Sequence, residues 1–91
     1  MVMKHFNINY NVKVRLTKFG KELHKKDWED FWNSIGKLDE FPYTPPEEDE
    51  NGYCKFQLWD LMKKFGSYCG LGCELPFDTV ILINEKDLKD D

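Results

Sequence analysis

From His5 to Leu16 the chain alternates without a break. Phe6, Ile8, Tyr10, Val12, Val14 and Leu16 hold the even positions, and His5, Asn7, Asn9, Asn11, Lys13 and Arg15 the odd ones. Successive strand side chains point to opposite faces, so this pattern predicts a half-buried strand with Lys13 and Arg15 on its wet side. A slip of one residue would turn every apolar side chain outward, which ties the segment to one register. Thr17 then supplies a hydroxyl where a helix would start.

A matching apolar segment lies near the other end. After Pro76, residues Phe77 to Ile83 (FDTVILI) are apolar and β-branched, as in a strand covered on both faces. Between the two, Leu58, Leu61, Met62 and Phe65 repeat at helical spacing, with Phe56 and Trp59 widening the apolar stripe and Gly66 or Gly70 closing it. In the stretch from Lys18 to Ile35, Phe19 and Leu23 fall on one side and Trp28, Phe31, Trp32 and Ile35 nearly opposite. Such a helix is either broken or sandwiched. Asp27 and Asp30 resemble a helix start, favouring a break at Lys25 to Asp27, and Gly36 ends the second piece.

The fold class expected is α+β: two antiparallel strands, N-terminal and C-terminal, covered on one face by two or three helices. One domain spans 1–91, with an acidic, proline-rich loop at 37–52 and a frayed charged tail at 85–91. A two-stranded sheet is marginal alone, and fourteen aromatic residues in 91 exceed what so small a fold can cover. Homodimerisation that extends the sheet or packs the helices is therefore expected.

Charge is divided along the chain. Residues 1–26 hold seven Lys/Arg against Glu22, and residues 27–50 hold nine Asp/Glu against Lys37. The simple reading folds the acidic loop over the basic strand, or pairs the two across a dimer; the sharper one turns either patch toward a charged ligand. Lys13, Arg15 and Lys18 then form a candidate surface for a small phosphate-bearing nucleotide, while nucleic acid fits poorly with a net charge of −4. Phe41, Tyr43, Glu47, Glu48, Asp49 and Trp59 form a candidate surface for a protein partner.

No catalytic pattern accompanies these surfaces. GxSxG, P-loop and dinucleotide signatures are missing, and the spacing ties neither His5 nor His24 to a cysteine. Cys69 and Cys73 lie within zinc-ligand spacing, with Cys54, His5 or His24 as completing ligands. One close pair is half of the usual signature, so three reduced thiols, no metal and no cofactor are expected. The absence of an apolar leader or a long apolar run points to the cytosol.

Val12-Lys13-Val14-Arg15-Leu16-Thr17-Lys18-Phe19-Gly20-Lys21, the block Gly52-Tyr53-Cys54-Lys55-Phe56-Gln57-Leu58-Trp59-Asp60-Leu61-Met62-Lys63-Lys64-Phe65-Gly66, and Pro76-Phe77-Asp78-Thr79 together resemble a group of small proteins encoded by phages and prophages of Gram-positive bacteria. The resemblance implies a short accessory protein, non-enzymatic, that blocks a host enzyme or bacterial immunity by stoichiometric binding, or alternatively a structural or regulatory phage protein without an immune target. In the second block Cys54 stands where the group carries the Thr of a capping box completed by Gln57. Restoring Thr there is expected to stabilise a helix starting at that point.

Overall fold

The computed structural model describes residues 3–70, 72 and 74–90. It is an α+β fold with two helices and two antiparallel sheets. In chain order the elements are β1 (Lys4–His5), β2 (Asn11–Val14), α1 (Lys18–Ser34), β3 (Cys54–Gln57), α2 (Leu58–Phe65), β4 (Leu82–Ile83) and β5 (Lys89–Asp90). The main sheet has the order β3-β2-β4, and β1 pairs with β5 in a separate ribbon.

The alternating segment and the C-terminal apolar segment do meet. Val12 pairs with Ile83, Lys13 with Leu82, and Leu16 bridges Phe77, all antiparallel. The inward set Val12, Val14 and Leu16 is buried beside Cys54, Phe56, Leu61 and Phe65, and Phe6, Leu23, Leu58 and Phe77 pack around that cluster. Period-two alternation thus placed the sheet's core face correctly from position 12 onward.

Several expectations need correction. The strand is shorter than the pattern, because Asn7 ends it from within: its side chain accepts from the Asn9 amide at 2.8 Å and its carbonyl from the Tyr10 amide at 2.9 Å. Asparagine competes for backbone groups in this way, and the turn leaves Ile8 and Tyr10 exposed. The FDTVILI segment is not covered on both faces. Between the Leu16 and Lys13 pairings, only Val14 and Arg15 face Asp78, Thr79, Val80 and Ile81, so the longer side bulges outward and Val80 to Ile83 are all exposed.

Helix α1 runs unbroken through the expected break. Thr17 caps it, accepting from the Gly20 amide at 3.1 Å and donating to the Leu75 carbonyl at 2.6 Å. Past Lys21 its interior holds no Gly or Pro, the Lys26–Asp30 pair at 3.1 Å spans the suspected break, and Gly36 at φ +71° follows its end. Gly20 and Leu23 face the body, while Trp28 and Trp32 meet the following loop, so the helix is sandwiched. The tail read as frayed carries a 3-10 turn at Glu85–Asp87, capped by Asn84, and then β5.

The largest miss is the third strand. Cys54 opens β3 instead of capping a helix, pairing with Val14 on one side and Glu48 on the other. Helix α2 begins only at Leu58, and Gln57 makes no capping bond. Its first amides are taken by the carbonyls of the Asn7 turn, Leu58 to Tyr10 and Trp59 to Ile8, both at 3.1 Å. The capping argument for Cys54→Thr therefore reverses. Cys54 is fully buried, and a threonine hydroxyl would enter an apolar core with an added methyl group. Cys54→Thr is expected to destabilise by about 1–3 kcal/mol, read as a lower melting temperature; a higher one would restore the helix-start reading.

Candidate functional site

The basic strand does not stand free, because the 37–52 loop lies against it. Lys13 Nζ is 3.3 Å from an Asp49 carboxylate oxygen and Lys21 Nζ is 3.1 Å from Glu48. Arg15 donates through Nε to the Asn51 carbonyl at 3.0 Å and lays its guanidinium 4.5 Å from the Tyr53 ring centre. Asp49 organises the turn, accepting from the Asn51 and Tyr53 amides at 2.9 Å each. The Tyr53 amide, then the Asn51 amide and Lys13, hold its carboxyl below the usual range against a smaller opposing effect of burial. Gly52, at φ +83°, lets the chain return into β3.

Of the residues expected to bind phosphate, Lys13 and Arg15 are neighbours on the open face of the sheet, and Lys18 stands apart on the first turn of α1. Pairing places Lys55, which sequence reading overlooked, directly across from Lys13. These two lysines border a depression of roughly 210 Å³ that Glu47, Glu48, Asp49 and Tyr53 complete. Acids and bases share one rim, so an incoming phosphate would first have to displace Asp49.

A different surface is left open. The second half of α1 presents Trp28, Phe31 and Trp32, and the loop lays Phe41 flat on Trp32, with ring centres 4.2 Å apart and planes 22° apart. Phe31 meets the same indole edge-on at 5.1 Å. Trp28 fixes the loop by donating its Nε1–H to the Phe41 carbonyl at 2.9 Å. Phe31 nevertheless remains 58% exposed and Phe41 42%. Beside them a groove of roughly 360 Å³ runs between the helices, lined by His24, Asp27, Trp28, Phe31, Trp32 and Lys64.

Tyr43 anchors the loop from beneath, 2.9 Å from His24 Nδ1. With the imidazole neutral and its proton on Nε2, the hydroxyl donates. Burial lowers the His24 pKa, Lys64 lowers it further, and Asp27 and Asp60 oppose both. Burial likewise raises that of Tyr43. Trp59 is exposed on α2 but takes part in none of the ring contacts joining Phe41 to α1, so the expected partner residues split into two places. Trp28, Phe31 and Trp32 were legible in the sequence only as the second apolar side of α1.

The His24 shift has a measurable consequence. Its folded pKa lies below the ordinary 6.5, so between these values the unfolded chain binds a proton that the native state does not. Stability should fall as pH drops from 6.5 to the lowered value and level off below it. Thermal melts of the wild type and His24→Gln across this range test it, because the variant should lack that step.

Among the described residues, no three His, Cys, Asp or Glu side chains are grouped to hold a metal. Cys54 is buried and its thiol is pushed up by that burial, Cys69 is exposed and donates to the Phe65 carbonyl at 3.3 Å, and Cys73 lies outside the described residues. No described helix is long and apolar enough to cross a membrane. Compared with known proteins, the chain matches no family model, no curated protein and no solved structure.

Proposed function

We propose that this chain is a non-enzymatic accessory protein that binds a protein partner through the aromatic surface formed by Phe31, Trp32 and Phe41. In the phage setting that the sequence resemblance implies, the partner is a host protein, of metabolism or of immunity, sequestered one to one. The observation that carries the reading is the Phe41–Trp32 stack beside the exposed Phe31 ring. Exposed aromatics held rigid by neighbours lose little freedom on binding, and such residues dominate interface energies.

Intramolecular charge pairing favours a protein partner over a nucleotide. Lys13 and Lys21 already pair with Asp49 and Glu48, so a nucleotide phosphate would gain only the difference between its own contacts and those it breaks. Capture from a lysate of the Gram-positive host, quantified by mass spectrometry, tests the choice. Phe31→Asp with Phe41→Asp should reduce capture of the specific partner about ten-fold or more, while Lys13→Glu with Arg15→Glu should leave it unchanged. The opposite order of effects would favour the nucleotide-facing reading of the basic strand.

A further inference from the structure

The surface area suggests that one copy is not the working unit. A compact monomer of 10.9 kDa exposes about 5,600 Å². This chain exposes 7019 Å², which is about 1,400 Å² more and exceeds the ~800 Å² per partner of a standard interface. Its radius of gyration, 15.2 Å, likewise exceeds the ~12 Å of a compact chain this long. Among the described residues, the buried core cluster holds seven apolar side chains, with Pro76 buried beside them.

The bulge after Phe77 concentrates part of that excess. Val80 is 59% exposed, and Ile81, Leu82 and Ile83 follow it at the sheet edge. Val80 also stands on the rim of a groove of roughly 440 Å³, whose walls include Tyr53, Leu75 and Phe77. An apolar knob beside an apolar hole is complementary to a second copy of itself across a two-fold axis, because each knob then reaches the other's hole. Charge agrees with this. Arg15 and Asp78 line the same groove and are joined through the backbone, the Asp78 amide donating to the Arg15 carbonyl at 2.9 Å, while their side chains form no ion pair: the Arg15 guanidinium engages the Asn51 carbonyl and the Tyr53 ring, and Asp78 makes no ion pair among the described residues. A two-fold brings Arg15 of each copy toward Asp78 of the other.

The remaining sheet edge is poorly suited to open-ended growth. Glu48 already bridges Cys54 on the outer side of β3, and Lys55 follows it with an exposed charge. We infer that the protein is a closed homodimer in which Val80 and Ile81 of each copy seat in the Tyr53, Leu75 and Phe77 groove of the other, flanked by reciprocal Arg15–Asp78 ion pairs.

Sedimentation equilibrium on the full chain tests this, with circular dichroism confirming that each variant is folded. The wild type should sediment at about twice 10.9 kDa at micromolar concentration. Val80→Lys should raise the dimer dissociation constant by about 30-fold or more, and Asp78→Arg and Arg15→Glu should each weaken the dimer. Combining Asp78→Arg with Arg15→Glu exchanges the charges and should restore association. A monomeric wild type, a dimer indifferent to Val80→Lys, a double variant as weak as the singles, or larger open assemblies would overturn the inference. Phe31→Asp should leave the dimer intact, which keeps this result separate from partner capture; if it alone dissociates the dimer, the two-fold lies on the aromatic surface and the inference is wrong.

Discussion

Gly20→Ala is expected to remove the cooperative unfolding transition at 25 °C. A Cβ built on Gly20 would lie 1.7 Å from the Pro76 carbonyl oxygen and 2.7 Å from its carbon, both backbone atoms that cannot turn aside. The same carbonyl accepts from the Thr17 amide at 3.0 Å, and the Thr17 hydroxyl donates to Leu75 next door. The helix start and the chain entering the last strand are therefore held together at the point where the methyl group would intrude. Ordinary overpacking costs about 1–3 kcal/mol by repacking side chains. Here relief requires moving α1 off the 75–77 segment and breaking both bonds, so the cost should exceed that range. Against a total stability of order 5–15 kcal/mol, and a small core at the low end of it, this is enough to unfold the chain. A urea titration followed by circular dichroism checks it; a midpoint within experimental error of the wild type would show that the close approach is not a real constraint.

Phe65→Ala should be nearly as damaging for the opposite reason, because it empties space. The ring is fully buried and meets Phe56 and Phe77 edge-on, with centres 6.1 Å and 6.2 Å apart. It thereby ties α2 to β3 and to the segment that pairs with Leu16. Truncating a buried Phe costs about 3–5 kcal/mol through lost transfer energy and the cavity left behind. Phe65→Leu keeps much of the volume and should retain most of the stability, so the difference between the variants separates cavity formation from loss of edge-to-face contacts. Equal losses in the two would place the effect on ring geometry instead.

How much of this was legible in the sequence depends on which interactions are local. Val12, Val14 and Leu16 announce their buried face by period alone, and Thr17 its cap by position. The Asn7 turn is local but was hidden because the period-two alternation runs straight through it. The start of α2 was hidden because it is settled by backbone partners distant in sequence: the carbonyls of Ile8 and Tyr10 replace the side-chain cap that Cys54 and Gln57 were expected to supply. Lys18 to Ser34 read as two helices because its two apolar sides serve different neighbours, the sheet for Leu23 and the loop for Trp28 and Trp32. Phe41 and Tyr43 were read as loop aromatics facing a partner, but their contacts within the chain, with Trp32 and His24, were not foreseen. The division of charge between residues 1–26 and 27–50 did foretell Lys13 to Asp49 and Lys21 to Glu48.

That charge pairing is what directs the functional reading toward the aromatic surface, so the most direct measurement locates the partner's footprint. Once a host protein is captured, hydrogen exchange of the complex against the free chain should show new protection confined to residues 28–43, with amides 11–15 and 47–55 unchanged. Protection centred on 11–15 and 47–55, with residues 28–43 exchanging as in the free chain, would contradict the account.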